Sequence, residues 1–286
     1  MSAPVNGMPT PGTNLLQSLV AGALDDAAVR RLDRPYADVE RDLDRVASPL
    51  DALQFLAPGD RVKVLAEVKR ASPSRGSMAP IADPAALAAE YEHGGASAIS
   101  VLTEGRKFLG TLADLEAVKA RVGIPVLRKD FIADPYQVVE ARAAGADIVL
   151  LIVAALDQPT LVQLHGLAEE LGMRVLVEAH SADEVSRGLD AGARILGVNA
   201  RDLTDFSLDR DLFGSLADRI PDGVVRVAES AVKTPRRRGP LPVRRCRRRP
   251  RRGGAGHRRR PRRHARVVHR RLTTRPVHAG HPGAPP

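Results

Sequence analysis

The sequence predicts an α/β fold, a (β/α)8 barrel preceded by a helical extension, and three observations carry that expectation. Short β-branched runs alternate with apolar stripes at helical spacing. The runs are almost wholly apolar, as in a parallel sheet covered by helices on its outer face. Polar residues stand at the C-terminal end of one run after another, where barrel enzymes assemble their sites.

Residues 1–60 read as the extension, with helices over 15–32 and 39–46 and a turn at Pro58-Gly59. Residues 61–234 read as the barrel, strands one to seven. The strand runs are 62–68 (VKVLAEV), 98–102 (AISVL), 125–127 (PVL), 148–152 (IVLLI), 175–177 (VLV), 195–198 (ILGV) and 224–228 (VVRVA). Asp83-Pro84, Asp134-Pro135 and Ser181 open the intervening helices, because a side-chain oxygen before the first turn can accept from its free amides. Gly95-Ala96, Gly145-Ala146 and Gly192-Ala193 close them, glycine supplying the left-handed residue that ends a helix. A doubly wound open sheet fits the same alternation; the polar residues gathered at one end favour the barrel.

At 286 residues, 43% hydrophobic and 27% charged, the chain is long enough for a large buried core. No apolar run reaches the roughly 18 residues of a membrane span, and the N-terminus lacks a signal pattern, so a cytoplasmic protein with no membrane partner is expected. The single cysteine excludes an intramolecular disulfide and a cysteine zinc site. No His, Asp or Glu spacing suits a metal, so no metal site is expected. The net charge of +10 conceals two regions. Residues 235–286 hold 19 basic side chains, all arginine, and no acidic one, whereas the rest holds 25 basic and 34 acidic residues.

The candidate chemistry sits at the strand ends. In AEVKRASPSRG, Glu67 and Lys69 are two apart and share the inner face of the first strand, where buried charges are costly unless paired or used. Ser72 lies in the turn that follows and suits an anionic group. In VLRKDF, Arg128 and Lys129 point opposite ways, and Lys129 is the one expected inside. A lysine in a partly dry cavity has a lowered pKa and can give a proton to a substrate oxygen. Glu178 ends the fifth strand, Asn199 and Arg201 follow the sixth, and Glu229 and Ser230 follow the seventh. Three glutamates, two lysines and an asparagine converging on one barrel end point to acid–base chemistry. His180 is isolated in sequence and reads as a loop histidine.

The segments EVKRASPSRG, SVLTEGRKFLG, PVLRKDFI, LVEAH, GVNARDL and AES, in that order, resemble the indole-3-glycerol phosphate synthase family over residues 13–234. The resemblance implies a (β/α)8 barrel and a cofactor-free carboxy-lyase of tryptophan biosynthesis. Its small-molecule substrate would be the anionic sugar phosphate 1-(2-carboxyphenylamino)-1-deoxyribulose 5-phosphate, closed into a ring with loss of carbon dioxide and water. By matching motif positions, Lys129 would be the general acid, Glu178 would transfer protons during dehydration, and Lys69 would be an alternative acid positioned by Glu67. Asn199, Glu229 and Ser230 would hold the sugar chain, with Arg201 beside the site. Phe108 and Phe131 would pack on the anthranilate ring, and Ser72 would lie near the phosphate. A monomer or weak oligomer is expected.

Family members continue from Glu-Ser-Gly through a helix to an eighth strand with a glycine-rich phosphate loop. Here Ser230 is followed by Ala231 and soon by the arginine run, so the eighth β-α unit reads as missing or replaced by a disordered Arg/Pro-rich tail. A shifted reading frame accounts for both the lost strand and the arginines. Read one base later, CGN arginine codons over 251–258 permit an apolar strand ending in glycine. The alternatives are another sugar-phosphate barrel enzyme, such as phosphoribosylanthranilate isomerase, and a non-catalytic protein binding nucleic acid nonspecifically through its tail.

Overall fold

A computed structural model describes residues 15–59, 61–72, 76–77, 81–202, 207–230 and 265–268, the backbone alone for 76–77 and 265–268. The extension forms α1 (Leu15–Asp33), α2 (Tyr36–Asp42) and α3 (Ala52–Leu56). Helix α1 buries Leu16, Leu19, Ala23 and Ala27, one stripe at helical spacing. The N-cap of α3, Asp51, accepts from Leu53 N. The alternating series follows as β1 (Val64–Val68), a small hairpin β2 (Ala71–Ser72) and β3 (Gly76–Ser77), α4 (Pro84–His93), β4 (Ala98–Leu102), α5 (Leu112–Arg121), β5 (Val126–Lys129) and α6 (Pro135–Ala143). It continues as β6 (Ile148–Ile152), α7 (Gln158–Glu170), β7 (Arg174–Ala179), α8 (Ala182–Asp190), β8 (Ile195–Asn199), α9 (Leu212–Leu216), β9 (Val225–Glu229) and β10 (Ala265–Val268). No helix among the described residues is long and apolar enough to cross a membrane.

The cap residues act as their chemistry requires. Asp83 accepts from Ala85 N and Ala86 N, and Ser181 accepts from Glu184 N. Asp134 and Gln137 form a reciprocal capping box on α6. Gly95, Gly145 and Gly192 take positive φ at the helix ends.

The strands pair in parallel as a closed barrel, in the order β1, β4, β5, β6, β7, β8, β9, β10. Alternate residues face two separate cores. Leu65, Leu127, Ile148, Leu150, Leu176 and Val227 fill the interior, where Leu16 and Leu19 of α1 and Leu56 of α3 join them. Ala66, Ile99, Val149, Val175 and Leu196 face outward onto Leu115, Val138, Leu161 and Val185 of the helices. Beneath this, the fully buried Asp147 accepts from Leu50 N, Val126 N and Lys119 Nζ, each at 2.7 Å, and ties the extension to two barrel strands.

Of the two alternatives for the eighth unit, missing or replaced by the tail, the described residues show the second for its strand: a piece of the tail takes that position. Ala265–Val268 runs parallel between β9 and β1, with Val267 level with Leu65 and Ala265 level with Val227. Two open strand edges present main-chain donors and acceptors that any sequence can pair. This stretch contains the tail's only Val-Val pair, a strong strand former. The strand lies beyond 251–258, the stretch that a shifted frame would turn into a strand. The reading of the tail as a disordered arm, and Ala231 beside the site, fall outside the described residues.

Candidate active site

Strand pleating separates the two basic residues that end β5. Arg128 turns outward into the layer between strand and helix, and Lys129 turns into the barrel. The Lys129 Nζ lies 3.1 Å from Glu229 Oε2 and 3.5 Å from Glu178 Oε2, so it bridges carboxylates from β9 and β7. Just past the end of β1, Lys69 pairs with Glu67, as their two-residue spacing predicts.

Asn199 is oriented by its own hydrogen bonds. Its Oδ1 accepts from Ser230 Oγ at 2.7 Å and from Arg201 N at 3.1 Å. That leaves Nδ2 to donate to Glu178 Oε1, at 3.1 Å. Ser230 reaches Asn199 from a left-handed backbone conformation, φ 67°, which a serine adopts only when its surroundings hold it there. Arg201 itself sits in a bridge to Leu208 beside the site.

The aromatic candidates also meet. The Phe108 and Phe131 rings are 6.1 Å apart, tilted by 43°. Glu104 fixes the loop that carries Phe108: its carboxylate accepts from Arg106 N, Lys107 N and Phe108 N at 2.8–2.9 Å. Arg106 extends this loop to α1 through a two-pronged contact with Asp26. Ala71 N donates to Phe108 O at 3.1 Å, which joins the β2–β3 hairpin to the same loop. Ser72 is buried in that hairpin, its hydroxyl without a partner among the described residues. The predicted residues therefore converge, with Ser72 and Phe108 on the loops that flank the charged centre.

Burial alone would drive the proton off Lys129, but Glu229, Glu178 and Glu67 outweigh it and hold the ammonium well above the usual lysine range. This corrects the expectation of a lowered value: a lone lysine in a dry cavity loses its proton, whereas one facing three carboxylates keeps it. Burial, with Glu178 nearby, pushes the Glu229 carboxyl up to about 8 against the pull of Lys129. Glu178 is also buried, yet Lys129, His180 and Asn199 keep it below the ordinary carboxylate range. One proton thus sits on Glu229 at neutral pH while Glu178 stays ionised.

Sequence reasoning missed two residues here. His180 is not an idle loop histidine, since its Nε2 lies 3.6 Å from Glu178 Oε1. Its position two residues beyond Glu178 was the available signal. Gly197 on β8 is the other: a Cβ there would run into the Glu229 carboxylate and come within 3.2 Å of Leu176. Among the described residues, no group of three or more His, Cys, Asp or Glu could hold a metal ion.

A sequence model of the indole-3-glycerol phosphate synthase family matches residues 16–239. The chain is 68% identical over 221 residues to an indole-3-glycerol phosphate synthase of Leifsonia xyli, a match covering 77% of this chain and 85% of that protein. Proteins of the same name from Parafrankia and Beutenbergia cavernae are 57% and 54% identical, over 78% and 77% of this chain and 83% and 82% of their own length. With the barrel, the inward lysine and its carboxylates in place, these matches lead to one conclusion: the chain belongs to the indole-3-glycerol phosphate synthase family.

Proposed function

We propose that this protein is an indole-3-glycerol phosphate synthase, a carboxy-lyase of tryptophan biosynthesis working in the cytoplasm as a monomer or weak oligomer. Its substrate is 1-(2-carboxyphenylamino)-1-deoxyribulose 5-phosphate. The observation that carries the reading is Lys129 held between Glu178 and Glu229 inside the barrel. Ring closure needs a proton for the ketone oxygen as the carboxylate-bearing aromatic carbon attacks, and Lys129 is the charged donor facing inward there. An ammonium also offsets the negative charge growing on that oxygen. Cleavage of the carbon–carboxylate bond then releases carbon dioxide and restores the aromatic ring.

In the second half the new hydroxyl leaves as water and the neighbouring carbon gives up a proton. Glu178, kept ionised, takes that role, and Lys69 can supply the proton to the departing hydroxyl. Glu67 positions Lys69. Asn199, Ser230 and the protonated Glu229 hold the sugar hydroxyls, with Arg201 beside them. Glu229 Oε1 lies buried against Gly197, without a hydrogen-bond partner among the described residues. Phe108 and Phe131 take the anthranilate ring, and the Ser72 hydroxyl faces the phosphate end.

The test is turnover by the full chain followed by indole fluorescence. Product from the carboxyphenylamino ketose, and none from phosphoribosylanthranilate, supports this reading. The reverse preference selects the isomerase. No turnover on either, with salt-sensitive DNA affinity lost on removing residues 235–286, selects the nucleic-acid reading. The tail is proposed to be a shifted-frame product, and the nucleotide sequence around codons 230–236 tests that directly. Stop codons in the frame one base later would overturn it.

A further inference from the structure

We propose that His180 is a positioning residue for Glu178, held by Glu184 so that its imidazole aims the Glu178 carboxylate and keeps it ionised as the base of the dehydration step. This rests on the functional reading above for the identity of that step, but the pairing itself rests on geometry. Glu178 and His180 are two residues apart at the end of β7, so both lean toward the barrel mouth. His180 Nδ1 lies 3.3 Å from Glu184 Oε2, and the same oxygen accepts from His180 N at 2.8 Å. Glu184 is itself fixed by the Ser181 cap of α8, whose Oγ accepts from Glu184 N at 3.2 Å.

The ring therefore has one orientation. Nδ1 donates a hydrogen bond to Glu184, and Nε2 faces Glu178 Oε1 at 3.6 Å. That Nε2 is buried and has no hydrogen-bond partner among the described residues. A small movement of Glu178 toward it would close a carboxylate–imidazole–carboxylate chain from Glu184 to Glu178. The charged groups facing the imidazole are Glu178 on β7, Glu184 on α8 and Glu229 on β9. All three are acidic, and they hold the imidazole above the usual histidine range although burial alone would lower it. An imidazolium here stabilises the ionised form of Glu178.

The full chain is compared with His180→Gln and Glu184→Gln. In His180→Gln we expect kcat to fall roughly tenfold with KM within about twofold, and the acidic limb of the kcat profile to move up by about one pH unit. Glu184→Gln should move the same limb in the same direction, by less. A purely structural histidine would lower activity and leave the limb in place, and that result in both variants overturns the proposal. So does a raised KM with unchanged kcat, which would make His180 a substrate contact. The second readout needs no activity. The carbon-labelled imidazole resonance of His180, assigned by its loss in His180→Gln, should titrate at lower pH in Glu178→Gln than in the wild type. An unchanged midpoint refutes the pairing, whereas a wild type that makes no indole product refutes the functional reading alone. If His180→Gln does not fold, the acidic limb in Glu184→Gln decides the matter: left unmoved, it overturns the proposal.

Discussion

Arg128 and Lys129 are adjacent on β5, yet their surroundings differ in how fully each charge is satisfied. Arg128 has no exposed surface and donates to Thr103 Oγ1, Gln137 O, Glu140 and Asp130. Both carboxylates are held from a second side: Glu140 also takes Arg30 of α1 at 2.6 Å, and Asp130 takes Thr103 Oγ1 at 2.7 Å. Lys129 is one-fifth exposed and touches two carboxylates, one of them carrying a shifted proton and an unpartnered oxygen. A closed network fixes geometry and leaves nothing for a ligand. An incomplete one holds its groups in place while their remaining capacity stays available.

That contrast breaks most sharply in activity. Lys129→Met should lower kcat by about 10²–10⁴-fold and shift the melting midpoint little, because Glu178 and Glu229 can share a proton once the ammonium is gone. Steady-state indole fluorescence beside calorimetry reads both effects; a variant keeping a tenth of the wild-type kcat places the acid elsewhere. Arg128→Met should do the opposite and cost about 3–5 kcal/mol of stability, because it strands buried carboxylates. Urea unfolding measures it, and a loss below about 1 kcal/mol would mean that the network relaxes around the gap.

Glu229→Gln sharpens the comparison through pH. The Glu229 carboxyl is raised from an ordinary 4.5 to about 8 in the folded protein. Its contribution is therefore complete below the unfolded value and is lost as the pH rises through the folded one. The neutral amide has no proton to lose. The stability of the variant minus that of the wild type should rise from pH 5 to pH 8 by about a few kcal/mol. A flat difference would show that Glu229 is ionised throughout.

The smallest effect belongs to the surface. The Arg106–Asp26 pair is 47% and 34% exposed, so Arg106→Ala should cost at most about 1 kcal/mol in a melt. A larger loss would make the contact between α1 and the Phe108 loop part of the closed network.

Much of this was legible in the sequence because the signals are local and periodic. Asp83, Asp134 and Ser181 each announced a helix start, and the two-residue spacing of Glu67 and Lys69 put both on one face. What escaped depended on partners far along the chain. The lysine's raised proton affinity comes from carboxylates 49 and 100 residues away, which no strand pattern supplies. The closing of the eighth position by Ala265–Val268 rests on main-chain pairing, to which a side-chain pattern is almost blind.

Gly197 carries the least chemistry of any residue in the barrel mouth, yet its tolerance to change should be among the lowest. The Glu229 carboxylate lies over it and occupies the place where a Cβ would be. In a saturation scan scored by growth without tryptophan, position 197 would rank beside 129 although it has no functional group. A lesion at 129 removes a proton donor. Even alanine at 197 removes the space in which Glu229 is kept, and an inhibitor or engineered ring system that fills this hollow would disturb the site in the same way.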